Sequence, residues 1–193
     1  MRWTLKPKPE KEKIDDLAKE LQVDAIIAEL LCQRNIATYK EAKQYFRPSL
    51  DDLHNPFLMK DMGAAVARIE NAILNKENIL IYGDYDVDGT TAVSLVSSYL
   101  KTIYEHIATY IPDRYEEGYG ISYQGIDFAQ DNDFSLIIAL DCGIKAIEKI
   151  AYAKDKNIDF IICDHHKPGK EIPKAIAILN PKTEDCNYPF DEL

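Results

Sequence analysis

The chain has 193 residues, is 46% apolar and carries a formal net charge of −10. That length suits one sizeable domain or a domain with an appendage, and that apolar share is enough to bury a core. The charge argues against a surface built mainly to grip nucleic acid by counterion release, but not against a nuclease site in which bound metals supply the positive charge.

Residues 6–13 are charged and proline-containing, and are expected to be extended or loose. Ile14, Leu17, Ala18 and Leu21 fall at helical spacing and predict a helix over 14–21. Asp24 as N-cap predicts a second helix over 25–32, and Thr38 a third over 39–46 that stops before Pro48. Residues 47–60, with Pro48, Asn55 and Pro56, read as an irregular linker whose Leu53, Phe57, Leu58 and Met59 dock on the main body. Residues 1–60 are therefore expected to be a helical segment and linker, ahead of a main domain over 61–193. Asp61 is read as the cap of a helix reaching about residue 74, with Met62, Ala65, Val66, Ile69 and Ile73 on its apolar side.

From Asn78 the pattern changes. Strands are expected over 79–82, 108–111, 136–140, 159–163 and 175–179, and helices over 90–104, from Ser122 to about 129, and over 144–156. This alternation implies an α/β fold with a doubly wound, mostly parallel sheet. Ligands in such sheets sit beyond the carboxyl ends of the strands.

The first strand runs into Gly83-Asp84-Tyr85-Asp86-Val87-Asp88-Gly89-Thr90. Alternate residues of an extended segment point to one side, so the three carboxylates converge and repel one another unless a cation lies between them. An EF-hand loop fits the opening of this run, but its twelfth position holds Leu95 rather than Glu, and a strand precedes it. Two functional readings survive, a haloacid-dehalogenase-type phosphatase with Asp86 as nucleophile and a dinuclear metal phosphoesterase. The plainest alternative is an acidic turn in which Asp88 only caps a helix.

Two further strand ends carry Asp141-Cys142-Gly143 and Asp164-His165-His166. A doubly wound sheet gathers these ends into oxygen and imidazole donors, a set that suits Mn²⁺ or Mg²⁺ better than structural zinc. Neighbours in extended chain face opposite sides, so His165 and His166 are expected to divide their roles, one holding metal and the other substrate phosphate. Arg114, in a glycine-rich loop, matches phosphate geometry, with a salt bridge to Glu116 or Glu117 as the alternative. Tyr115, Tyr119 and Tyr123 are candidates to stack bases, with core packing as the other use. Asn180-Pro181 either contacts the site or turns the chain, and His54 and His106 read as surface or packing residues.

Cys32, Cys142, Cys163 and Cys186 form no C-x-x-C pair and read as reduced thiols of a cytosolic protein. The N-terminus lacks an apolar leader, no stretch is long enough to span a bilayer, and the terminal Asp191-Glu192-Leu193 is taken as chance similarity to a retrieval signal.

Together, Tyr82 to Gly89 resembles the first motif of the DHH phosphoesterase superfamily, Asp141-Cys142-Gly143 its second, and Asp164-His165-His166 the triplet that names it. Residues 111–120 and 56–62 are similar to its single-stranded-DNA exonuclease branch, and the resemblance runs from about residue 30 to the end. It implies a DHH domain binding two Mn²⁺ or Mg²⁺ ions through Asp84, Asp86, Asp88, Asp141 and His165. The resemblance makes Asp141 the candidate bridge, with Asp86 expected to serve one ion, Asp88 and His165 the other, and Asp84 and Asp164 to orient the shell. It implies that His166 and Arg114 hold the scissile phosphate. The implied substrate is single-stranded DNA, degraded 5′ to 3′ in repair and recombination in the cytoplasm, with no membrane partner. Tyr82 stands where some relatives place a histidine ligand and is not assigned. The family's fourth motif and later domains are missing, so the chain is expected to be an N-terminal piece with weak metal binding and little activity alone. The alternatives are another DHH hydrolase, such as a nanoRNase or cyclic-dinucleotide phosphodiesterase, or the phosphatase above.

Overall fold

A computed structural model describes residues 4–190, so Met1-Arg2-Trp3 and Asp191-Glu192-Leu193 lie outside the described residues. The chain divides into two units, Met1–His54 and Asn55–Leu193.

The first unit holds α1 (Lys11–Leu21), α2 (Ala25–Cys32) and α3 (Tyr39–Phe46). Their apolar stripes bury Ile14, Leu17, Ala28, Leu31, Ile36 and Ala42 together. The caps are those the sequence predicts. Asp24 accepts from Ile26 N at 2.8 Å, and Thr38 forms a reciprocal capping box with Glu41. Leu53 and Phe57, expected to dock the linker, are instead 72% and 62% exposed. The linker folds into two single turns, Leu50–Asp52 and Pro56–Leu58, capped by Ser49 and Asn55. Short local capping bonds shape it without burying those side chains.

The second unit is built on five parallel strands: β1 (Asn78–Gly83), β2 (Ile107–Tyr110), β3 (Phe134–Leu140), β4 (Asp159–Cys163) and β5 (Ala177–Leu179), in the order β2-β1-β3-β4-β5. Both sheet faces are covered, which is why the strands read as continuous apolar runs. Leu80, Tyr82, Ile137, Ala139, Phe160 and Ile162 pack towards α6 (Tyr123–Asp131) and α7 (Ile147–Asp155). Ile79, Ile81, Leu136, Ile138, Leu140 and Ile161 pack towards α4 (Met62–Leu74) and α5 (Val87–Leu100). From β1 the chain first steps outward to β2, then returns across β1 to β3. The order therefore reverses between β1 and β3, where doubly wound sheets open a crevice at the carboxyl ends.

Two expected caps fall elsewhere. Asp61, with φ 63°, makes no side-chain cap hydrogen bond to α4; its carboxylate reaches Ile178 N on β5 at 3.2 Å. Helix α5 starts at Val87, capped by Asp86, so Asp88 lies inside its first turn. At the opposite, amino end of the sheet, Arg68 of α4 bridges Glu77 at 2.7 Å and Asp159 at 2.6 Å. Among the described residues no helix is long and apolar enough to cross a membrane.

Candidate metal centre

The turn after β1 is tight because two backbones meet. A Cβ on Gly89 would lie 2.5 Å from the Asp84 carbonyl oxygen and 2.6 Å from its nitrogen. This approach seats the start of α5 against the end of β1, and only glycine allows it. Asp86 Oδ1 accepts from Gly89 N at 2.9 Å, closing the turn. Asp84 is fully buried. Its oxygens accept from Tyr85 N and Gly120 N, each at 2.7 Å, tying the β1 end to the 113–120 loop. Burial raises the Asp84 pKa against these two bonds, and the Asp86 charge adds to the rise.

β3 ends at Asp141, whose φ of 61° places a residue other than glycine in the left-handed region. Its N–H donates to the Cys163 carbonyl at 2.8 Å, holding the carboxylate beside β4. Asp141 Oδ1 lies 3.0 Å from His165 Nε2. Burial and the Asp86 charge raise the Asp141 pKa, while His165 and His166 oppose them.

Asp164 is also buried, yet it behaves differently. Burial alone would raise its pKa, but backbone N–H groups of His166 and Ile144 and the His166 ring hold the carboxyl below the usual value. Oδ1 lies 2.7 Å from His166 Nδ1 and takes His166 N at 3.0 Å. Oδ2 takes Ile144 N at 3.0 Å. The expected divergence of the two histidines does not occur. β4 ends at Cys163, strand alternation lapses, and the rings lie 4.8 Å apart. One donor atom each from Asp141, His165 and His166 falls within 4.8 Å of the others.

The structure thus gathers Asp141, His165 and His166, with Asp86 close enough to act on Asp141 by charge. Both Asp84 oxygens are taken by backbone N–H groups. Asp88 is exposed on α5, and its carboxylate makes no hydrogen bond or ion pair among the described residues. Tyr82, left unassigned as a ligand, is buried, and its hydroxyl donates to the Gly120 carbonyl at 2.9 Å and accepts from Ser122 N at 3.1 Å. Arg114 pairs with neither glutamate. Glu117 instead binds Asp113 N and the Tyr110 and Ser122 hydroxyls. The Arg114 guanidinium sits 5.3 Å from the Tyr85 ring centroid, and Tyr85 meets Tyr119 edge-on at 5.8 Å. Tyr119 is half exposed and faces His166 at 6.3 Å. Tyr123 packs on Tyr152 at 5.1 Å, and Tyr115 is exposed.

Sequence reasoning left two supports undecided or unseen. Asn180 is fully buried, and its Nδ2 donates to the His166 carbonyl at 3.0 Å while Oδ1 accepts from Lys182 N at 2.8 Å. Asn180-Pro181 therefore turns the chain and also holds the triplet loop. Tyr85, the platform for Arg114, carried no signal beyond its place between two aspartates.

The donors fit a hard or borderline divalent cation, being carboxylate oxygens and imidazole nitrogens crowded by like charge. Asp164 supplies the carboxylate–imidazole contact that typically orients a ligating histidine.

The family model described as "DHH family, N-terminal domain" matches residues 78–188. The chain is 40% identical over 193 residues to the single-stranded-DNA-specific exonuclease RecJ of Bacillus subtilis (strain 168), covering 100% of this chain and 24% of that protein. It is 36% identical over 130 residues to RecJ of Salmonella typhimurium, covering 67% and 22%. Among solved structures, exonuclease RecJ bound to manganese matches with TM-score 0.63 and 27% identity over 69% of this chain and 34% of that one. RecJ from Thermus thermophilus in complex with Mn²⁺ matches with TM-score 0.69 and 22% identity over 94% and 25%, which speaks for the fold alone. The chain thus spans between a fifth and about a quarter of the length of these curated relatives.

Proposed function

The chain belongs to the DHH family, and from that premise we propose that it supplies the metal-holding part of a single-stranded-DNA-specific exonuclease, cleaving 5′ to 3′ in repair and recombination. Residues 61–193 are the DHH domain in this reading, and residues 1–60 its helical appendage. The cytoplasm is its compartment, in keeping with four free cysteines. One observation carries the proposal: Asp141, His165 and His166 come from two strand ends to one point beside the β1–β3 reversal.

Asp86, Asp88, Asp141 and His165 would hold two Mn²⁺ or Mg²⁺ ions. Asp84 enters only through the 113–120 loop it anchors. Such a pair of ions supplies Lewis-acid charge and an activated water for phosphodiester hydrolysis. The residues themselves do the rest. Asp164 fixes Nδ1 of His166 and so turns Nε2 towards the substrate. His166 and Arg114 bind the scissile phosphate, with Arg114 held ready on the Tyr85 face. No side-chain nucleophile takes part.

The test uses the full-length protein with 5′- and 3′-labelled single strands, duplexes and dinucleotides, with Mn²⁺ or with chelator. Mononucleotides released from the 5′ end of single strands, only with metal, are expected. Hydrolysis of dinucleotides without attack on long strands overturns the exonuclease reading in favour of a small DHH hydrolase. An aspartyl-phosphate trapped on Asp86 overturns it in favour of a phosphatase.

A further inference from the structure

On the sheet face opposite α6 and α7, α4 packs on β5 and α5 packs on β1 and β2. The cover is incomplete at one place. Between these two helices a slot of about 360 Å³ opens over the carboxyl halves of β3 and β4. Leu140, Ile161 and Leu179 floor it, Met62 and Val66 of α4 form one wall, and Leu95 and Tyr99 of α5 form the other. No charged side chain lines it. Leu95 is 70% exposed and Tyr99 66%, so the α5 wall turns two large apolar side chains to water. A contiguous apolar surface of this kind marks a place where something docks.

We propose that the slot receives an apolar α-helix of the same polypeptide, from the part of the full-length protein that follows residue 193. The path of the chain after β5 carries the choice of occupant. Leu179 ends β5 on the floor of the slot, and the chain then returns to its rim. Asp185 pairs with Lys60 at 2.5 Å, and the Cys186 sulfur lies 3.8 Å from that of Met59. Met59 and Lys60 lead into α4, whose first residue, Met62, lines the slot. Chain continuing from there starts beside the opening. This chain covers about a quarter of the length of the relative it matches throughout, so further chain is available to fill it. A segment tethered so close has an effective concentration on the order of millimolar, which a second copy at micromolar concentration does not match. The lining chooses a helix. An extended or irregular segment would leave backbone N–H and C=O groups unpaired against apolar walls, whereas a helix brings its own pairs. It would also complete a helical layer over strands that are parallel and covered on both faces. None of this depends on the metal-holding residues, so the nuclease reading and this one can fail separately.

The experiment places p-benzoylphenylalanine at Tyr99 in the full-length protein, irradiates it, and identifies the crosslinked peptides by mass spectrometry. The expected product is a crosslink within one chain, from position 99 to a residue beyond 193, with a yield unchanged by dilution. A crosslink to a second copy, to another protein or only to residues before 193 overturns the inference. Leu95→Cys supplies a readout free of the bulky probe. Its maleimide labelling is expected to be at least about tenfold slower in the folded full-length protein than in urea, because the thiol reacts only when the helix lifts away. Equal rates overturn the inference.

Discussion

His166 Nδ1 lies 2.7 Å from Asp164 Oδ1, so the first residue of the triplet acts through the third. With Nδ1 held, Nε2 is the nitrogen left for the site. The second Asp164 oxygen accepts from Ile144 N, which fixes the loop after β3 by the same carboxylate.

That double duty makes Asp164→Asn informative. Asparagine keeps the volume but offers one acceptor oxygen where the carboxylate offers two. The kcat/KM of the full-length protein on single strands with saturating Mn²⁺ is expected to fall about 10- to 100-fold. The carboxyl is held below its ordinary value of 3.8, against the effect of burial, by the His166 and Ile144 N–H groups. A depressed acid contributes stability that is complete above its unfolded value and lost as pH falls through the folded one. The metal-free wild type should therefore lose melting temperature below about pH 4, and Asp164→Asn should lose less over the same interval. An unchanged kcat/KM would refute the orienting role.

Asp141 combines a left-handed backbone with a carboxylate near His165. Three substitutions separate the two properties. Asp141→Gly relieves the backbone and removes the oxygen ligand, so it should fold well and show no Mn²⁺-induced rise in melting temperature. Asp141→Asn should do likewise, because asparagine tolerates the left-handed region. Asp141→Ala should lose the metal response and, in addition, about 1 kcal/mol of metal-free stability in denaturant titration. Equal stability of the Ala and Gly variants would count against backbone strain at this strand end.

Gly89→Ala tests how the acidic turn is built. The added methyl would meet Asp84 backbone atoms at 2.5, 2.6 and 2.9 Å, and backbone cannot rotate aside as a side chain does. Separating α5 from β1 should cost about 3 kcal/mol, near the top of the overpacking range. Denaturant midpoints measure it. A loss below about 1 kcal/mol would show that the turn can open freely.

Much of this architecture was legible because the physics is local or periodic. Strands buried on both faces read as apolar runs, and Asp24, Thr38 and Ser122 cap helices through bonds within a few residues. What stayed hidden depended on contacts across the fold. Asp88 is the cap the sequence suggests; the Gly89–Asp84 backbone contact brings the start of α5 back to Val87 and gives the cap to Asp86. Asp61 is drawn from capping by Ile178 N, far along the chain. The histidine rings were expected to diverge by strand alternation, a rule that ends with the strand at Cys163. Arg114 had acidic neighbours in sequence, but Glu117 was engaged by Tyr110 and Ser122, and an aromatic ring took their place.

The amino end of the sheet should respond in stability and not in chemistry. Arg68, half-buried on α4, joins Glu77 before β1 to Asp159 at the start of β4, and Ser135 also binds Glu77. Burial pushes the Glu77 pKa up, but the Ser135 hydroxyl and the Arg68 guanidinium outweigh it and hold the value below 4.5. By the sign of that shift, the contribution of Glu77 is complete above pH 4.5 and fades as pH falls below it. Arg68→Ala leaves a partly buried carboxylate without its cation and removes the packing of the arginine stem, which should cost about 2 kcal/mol at neutral pH. The deficit should narrow on acidification, as Glu77 becomes neutral in the variant. Because this network lies at the end of the strands remote from Asp141, the Mn²⁺ affinity of Arg68→Ala, measured below its unfolding transition, should match wild type within about twofold. A variant that kept its stability but lost metal affinity would show the two ends of the sheet to be coupled, contrary to this account.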